Sequence, residues 1–177
     1  MVDSGKSWKN CGGFFKKHLQ RGKERKVRIV SLGLKGEYNH SIDSKGRMIV
    51  PSKLREQLGL SFVVTKGMDN CLYAYPNNEW EIFEGKLRQL PTTNAKARQF
   101  VRVFLGSAVD CEVDNQGRIN LPKTLRDYAG IAKDVTIVGV GDKAEIWSKE
   151  KLDEINNSDE FNLDELASGF EELGFNI

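Results

Sequence analysis

The chain has 177 residues, 39% of them hydrophobic, and a net charge of only +2. That length suits one ordinary domain or two small ones with a modest core. No apolar run approaches the roughly 18 residues a spanning helix needs, no apolar leader opens the chain, and three scattered cysteines (Cys11, Cys71, Cys111) with two histidines (His18, His40) fit free thiols in a reducing compartment, not a zinc site.

Residues 1–36 hold ten Lys/Arg against Asp3 and Glu24, a net +8, within which FFKKHLQRGKERKVR is densest. Residues 1–35 therefore read as a basic extension. Two origins stay open: a disordered arm that grips phosphates, or translation from an upstream start codon.

Residues 38–50 predict a β-hairpin. Tyr38, His40 and Ile42 alternate, RMIV follows, and DSKG sits between. Asp, two ordinary residues and Gly suit a type I turn closed by a left-handed glycine, with Asp43 accepting from turn N–H groups and Gly46 taking the positive φ. VPSKLREQLG then predicts a short helix. Pro51 fits its first turn, Leu54 and Leu58 share a face, and Gly59 stops it. SFVVTKG and CLYAYP predict a second hairpin.

Two longer helices follow, at 77–90 with Trp80, Phe83 and Leu87 in helical spacing, and at 94–106 with Ala97, Val101, Phe104 and Leu105. Stripes of this period are core faces. Residues 107–121, with DNQG at the tip, predict another hairpin, Pro122–Ala129 another short helix ended by Gly130, and DVTIVGV with AEIWS a last strand pair. SKEKLDEIN is a short final helix. Residues 149–177 carry two Lys against nine Asp/Glu, a net −7, and the tail 158–177 is studded with Phe161, Leu163, Leu166, Phe170, Leu173 and Phe175. It reads as an amphipathic docking helix or as a disordered tail.

The second half thus repeats the first. Asp43, Gly46, Arg47, Pro51, Leu54, Arg55 and Gly59 match Asp114, Gly117, Arg118, Pro122, Leu125, Arg126 and Gly130, each 71 residues on. A half of this size buries too little to stand alone, whereas two halves could close a small barrel without free edges. Both turn tips would then share one surface, presenting Lys45, Arg47, Gln116 and Arg118, with Lys53, Arg55, Lys123 and Arg126 on the helices behind. Arg suits bidentate contact with phosphate or guanine, and the glycine N–H groups are expected to approach a phosphate. Arg47 and Arg118 either merely pair with Asp43 and Asp114 or are held by them for a ligand.

GEYNHSIDSKGRMIVPSKLRE, followed by VDNQGRINLPKTLRDYAG and EIW, resembles the MraZ family, whose two modules are similar to the swapped-hairpin AbrB/SpoVT type. The resemblance covers roughly residues 36–155. It implies an α+β fold, a tandem-duplicated swapped-hairpin β-barrel with a short helix after each hairpin and longer peripheral helices. The first module would occupy 36–106 and the second 107–157. It further implies a cytoplasmic, nucleoid-associated, DNA-binding transcriptional regulator of the division and cell-wall gene cluster. Such proteins form ring-shaped homo-oligomers on direct repeats in their own promoter. The DNA-contacting positions would be Lys45, Gly46 and Arg47, and Gln116, Gly117 and Arg118, supported by Asp43 and Asp114. Asn115-Gln116 replaces Ser44-Lys45, so the second tip lacks a positive charge and ranks lower.

An enzyme is not expected. No nucleophile–base pair has a recognisable spacing, and GVGDK at 139–143 is a lone G-x-G with no helix behind it. No metal, cofactor or small-molecule substrate is expected either. The alternative is an antitoxin-like interaction module that uses the same hairpins and the acidic tail.

Overall fold

A computed structural model describes residues 33–158. Most of the basic extension and nearly all of the acidic tail, with Cys11 and His18, lie outside the described residues. Eight strands and five helices follow in order: β1 (Leu34–Ser41), β2 (Arg47–Ile49), α1 (Ser52–Leu58), β3 (Ser61–Lys66), β4 (Leu72–Pro76), α2 (Asn77–Arg88), α3 (Ala95–Ser107), β5 (Val109–Glu112), β6 (Arg118–Asn120), α4 (Lys123–Ala129), β7 (Asp134–Gly141), β8 (Ala144–Ser148) and α5 (Lys149–Asn156).

The repeat shows most clearly in the strand order, β1-β7-β8-β4-β3-β5 for the long sheet, with β2 and β6 paired apart. The local hairpins β3–β4 and β7–β8 form as the sequence predicts and meet through β4 and β8, where Ala74 faces Ala144. Outside them the halves trade strands. β1 of the first half pairs with β7 of the second, from Leu34 opposite Gly141 to Ser41 opposite Asp134. β5 of the second half pairs with β3 of the first. The duplicated, swapped-hairpin α+β fold is therefore the one the sequence led to expect. The long sheet ends at β1 and β5, and the chain runs from each end round a turn into the β2–β6 ribbon.

That exchange corrects the reading of 38–50 as one continuous hairpin. Beyond the first turn the two arms share a single bridge, Ile42 with Met48, and then diverge. Val50 gives its N–H to the Gly117 carbonyl at 2.9 Å. Pro51 follows and has no N–H to continue a ladder. It lies one step ahead of α1, with φ −52° and ψ 137°, and Pro122 precedes α4 with nearly the same angles. Both fix the chain's approach to the helix instead of joining its first turn. Gly130 ends α4 in the left-handed region (φ 67°, ψ 26°); Gly59 ends α1 with φ 86° but ψ −177°.

One core draws on both halves. Met48 and Ile119, Val50 and Leu121, Leu54 and Leu125 are matched pairs, each at most 2% exposed. Burying a side chain of this size contributes about 1.5–3 kcal/mol, so neither half retains its core without the other. The aromatic stripes are packing, as their spacing predicts. Phe83 stacks on Tyr75 (5.2 Å between ring centres) and meets Phe104 edge-on (5.3 Å), which fixes α2 and α3 over β3 and β4. The buried Thr65 hydroxyl donates to the Phe104 carbonyl at 2.7 Å. Asn94 caps α3, its Oδ1 accepting from the N–H groups of Lys96 and Ala97. Cys71 and Cys111 are buried free thiols, pushed by burial up to about 12 and about 11.

Candidate nucleic-acid interface

Each turn is organised by its aspartate. Asp43 Oδ1 accepts from the backbone N–H groups of Lys45 and Arg47, both at 2.9 Å, while Oδ2 accepts from Arg47 Nε at 2.8 Å and Nη2 at 2.7 Å. Asp114 repeats the arrangement with Gln116 N (2.8 Å), Arg118 N (2.9 Å), Arg118 Nε (2.9 Å) and Arg118 Nη2 (2.7 Å). One carboxylate thus shapes the turn with one oxygen and holds the arginine with the other. A guanidinium has five N–H groups. Two are committed to the aspartate here, which leaves three unused. The Arg47 and Arg118 side chains remain 34% and 25% exposed. The arginines are both paired and presented.

The glycines act differently from expectation. Gly46 (φ 81°) and Gly117 (φ 76°) take the left-handed conformation the turn demands. Their N–H groups are spent within the turns, on the carbonyls of Asp43 (2.9 Å) and Asp114 (2.8 Å), and both residues are buried. Neither glycine N–H is therefore free to receive a phosphate in this conformation.

The two turns lie side by side. Leu121 N–H donates to the Gly46 carbonyl at 2.8 Å, reciprocating the bond from Val50 to Gly117. Between them run β2 and β6, with Met48 opposite Ile119 at the centre and both buried. Side chains alternate across a strand, so Arg47 and Ile49 share the outer face with Arg118 and Asn120. The helices reach across the pseudo-two-fold. Arg55 packs its guanidinium over Gly117, where a Cβ would come within 2.7 Å of it, and Arg126 lies over Gly46 and donates to the Leu121 carbonyl at 3.1 Å. Lys45 is exposed at the first tip and Gln116 at the second, while Lys123 is engaged with Asp127 at 2.6 Å.

Two surface positions escaped the sequence reading. Ile49 stands 48% exposed among cationic groups, opposite Arg118. Asn120 is its counterpart, and with its amide nitrogen turned to the first turn it donates to the carbonyls of Lys45 (3.2 Å) and Gly46 (3.3 Å). The available signal was the difference between RMI and RIN at otherwise matching places. In that orientation Asn120 braces the first turn, whereas Ile49 has no donor to offer the second.

The same contacts govern titration. Hydrogen bonding from the Arg47 side chain, then from backbone N–H groups, holds the Asp43 carboxyl down at about 2, and the corresponding bonds lower Asp114. A depressed carboxyl stabilises the fold above its ordinary range, and that stabilisation is lost as the pH falls through the folded value. The clamp is therefore expected to stay intact at pH 3.5. Carboxyl-carbon NMR should give Asp43 a midpoint near 2; a midpoint at the unperturbed 3.8 would mean that the Arg47 contact is absent in solution.

Among the described residues, no group of three His, Cys, Asp or Glu side chains converges to hold a metal, and no helix is long and apolar enough to cross a membrane. The family described as "MraZ protein, putative antitoxin-like" matches residues 34–103 and again 104–169, so the chain matches that model twice in tandem. The chain is 52% identical over 139 residues to the "Transcriptional regulator MraZ" of Alkaliphilus metalliredigens, spanning 78% of this chain and 97% of that protein. It is 54% identical over 132 residues to the protein of the same description from Natranaerobius thermophilus, spanning 75% and 92%. Against the one from Desulforamulus reducens it is 53% identical over 138 residues, spanning 78% and 97%.

Proposed function

The chain belongs to the MraZ family, and on that premise we propose that it is a cytoplasmic, non-enzymatic transcriptional regulator that binds double-stranded DNA through the β2–β6 ribbon and its two turns. The observation that carries this reading is the pair of aspartate-held arginines, Arg47 and Arg118, set on one outward face and still carrying unused donors. Such arginines lose little side-chain freedom on binding, so more of the contact energy appears as affinity. Lys45 adds a point charge at the first turn, and Arg55 and Arg126 raise the potential behind both.

One subunit neutralises few phosphates and binds weakly by itself. The finer reading is that a ring of subunits sets several turn pairs at fixed spacing. The second engagement then becomes effectively intramolecular and raises avidity by about 10²–10⁴. The favoured target is a set of direct repeats in the protein's own promoter, ahead of the division and cell-wall genes, which places the protein on the nucleoid.

A gel-shift series tests this. DNA from just upstream of the gene should bind more tightly with tandem boxes at native spacing than with one box or with the spacing shifted by half a helical turn. Affinity should fall linearly with salt on logarithmic axes, each neutralised phosphate adding about 0.9 to the slope. Equal affinity for single, shifted and scrambled boxes would contradict sequence-specific binding. Salt-independent binding would contradict the cationic ribbon as the contact.

A further inference from the structure

α2 and α3 form an arm over β3 and β4, and between them lies a groove of about 360 Å³. Leu87, Leu90 and Val101 provide an apolar floor, and Arg88, Arg98 and Arg102 line it with them. These cations are only partly committed. Arg88 pairs with Glu84 at 2.7 Å and Arg98 donates to the Thr92 carbonyl at 2.7 Å. Arg102 is exposed and has no acidic partner among the described residues. An apolar slot rimmed with arginines calls for an occupant that is apolar on one side and acidic around it.

The polypeptide contains such a segment. Residues 159–177 hold six Asp/Glu and no Lys or Arg. Leu163, Leu166, Phe170 and Leu173 recur at intervals of three and four, the spacing of one helical face, and Asp164, Glu165, Glu171 and Glu172 flank that stripe. Apolar anchors at this spacing are what a hydrophobic groove receives in helix-in-groove recognition, and the signs of charge are opposite on the two sides. The basic turn face offers no alternative seat for the apolar stripe, since its outward positions are Arg47, Arg118, Asn120 and a single Ile49.

We propose that the acidic C-terminal segment, residues 159–177, docks in the groove between α2 and α3, its leucine–phenylalanine stripe on the floor and its carboxylates against Arg98 and Arg102. The docking ties the end of the chain to the arm that links the two halves of the repeat. It draws on none of the groups assigned to DNA, so the two proposals stand or fall separately.

The test uses the full chain with Val101 replaced by the photo-reactive benzoylphenylalanine. Irradiation followed by mass spectrometry should map the crosslinks to 159–177, whether within one chain or between two copies of it. Reversing the rim in an Arg98→Glu, Arg102→Glu variant should cut that yield several-fold with the circular dichroism spectrum unchanged. Adding Glu171→Arg and Glu172→Arg should restore it. Crosslinks that fall instead on residues 33–158 of a second copy, an absence of crosslinks, or a yield indifferent to both reversals would each overturn the proposal.

Discussion

Replacing Arg47 with alanine is expected to weaken binding to DNA carrying the proposed promoter boxes about tenfold to a hundredfold. The melting temperature should stay within a few degrees of the wild type. A bidentate arginine contact to phosphate or a base edge discriminates by about 1–3 kcal/mol, and each 1.4 kcal/mol is a factor of ten. Repetition around a ring would multiply the loss. The fold should tolerate the change because Arg47 is a third exposed, and an exposed ion pair adds little stability. Met48 and Val50, which seat the ribbon in the core, are untouched. The same change at Arg118 should cost less, since the second turn has Gln116 in place of Lys45 and lacks the brace from Asn120. Gel shifts paired with thermal melts measure both effects. An Arg47→Ala protein that unfolds would make Arg47 a structural residue, and one that binds normally would remove it from the interface.

Replacing Gly139 with valine should instead damage the fold. Gly139 faces Gly36 across the β1–β7 ladder. A Cβ on Gly139 would fall 2.3 Å from the Lys35 nitrogen and 2.6 Å from the Leu34 carbonyl carbon, both backbone atoms that cannot swing aside. Relief requires β1 to move off β7. Overpacking of this kind costs about 1–3 kcal/mol, and each ladder hydrogen bond lost adds about 0.5–1.5 kcal/mol. At about 2–4 °C per kcal/mol for a chain of this size, the melting temperature should drop roughly 5–15 °C. β1 leads directly into the first turn, so DNA binding should weaken as well. A variant that melts within about 2 °C of the wild type would show that β1 does not run this close to β7.

That glycine illustrates what was legible in the sequence. GVGDK invited comparison with a nucleotide-binding turn, and nothing local reveals that Gly139 is small because a strand from the other half crosses it. The turns were legible because their determinants are local: Gly46 lies three residues after Asp43 and gives its N–H to the Asp43 carbonyl, as Gly117 does to Asp114, while each aspartate side chain accepts from a backbone N–H two residues on. The short helices were legible from a preceding proline and a terminal glycine, and in the first also from the Leu54–Leu58 pair. The hairpins β3–β4 and β7–β8 were legible because neighbouring strands pair by default. Alternation in YNHSID told which side of β1 faces in, but not that its partner begins at Asp134. Partner choice depends on the whole pseudo-symmetric assembly, so the continuous hairpin at 38–50 had to be corrected by the fold.

On the proposed DNA-facing surface, Arg47 and Arg118 were picked out from residue type and repetition, and the structure shows what their aspartates do: each holds its arginine. Asn120 and Ile49 were not found, because their exposure depends on β2 and β6 pairing with each other. The crossed contacts of Arg55 on Gly117 and Arg126 on Gly46 were invisible for the same reason. Each half of the repeat contributes its turn to the ribbon and its helix arginine to the other half's turn.

The most direct measurement is the structure of the protein bound to a duplex carrying two promoter boxes. Arg47 and Arg118 from the same ribbon should lie about 3 Å from phosphate or base-edge oxygens and nitrogens, with Asp43 and Asp114 still gripping their guanidinium groups. A duplex seated against α2–α3 or α5, with both turns free in solvent, would contradict the account.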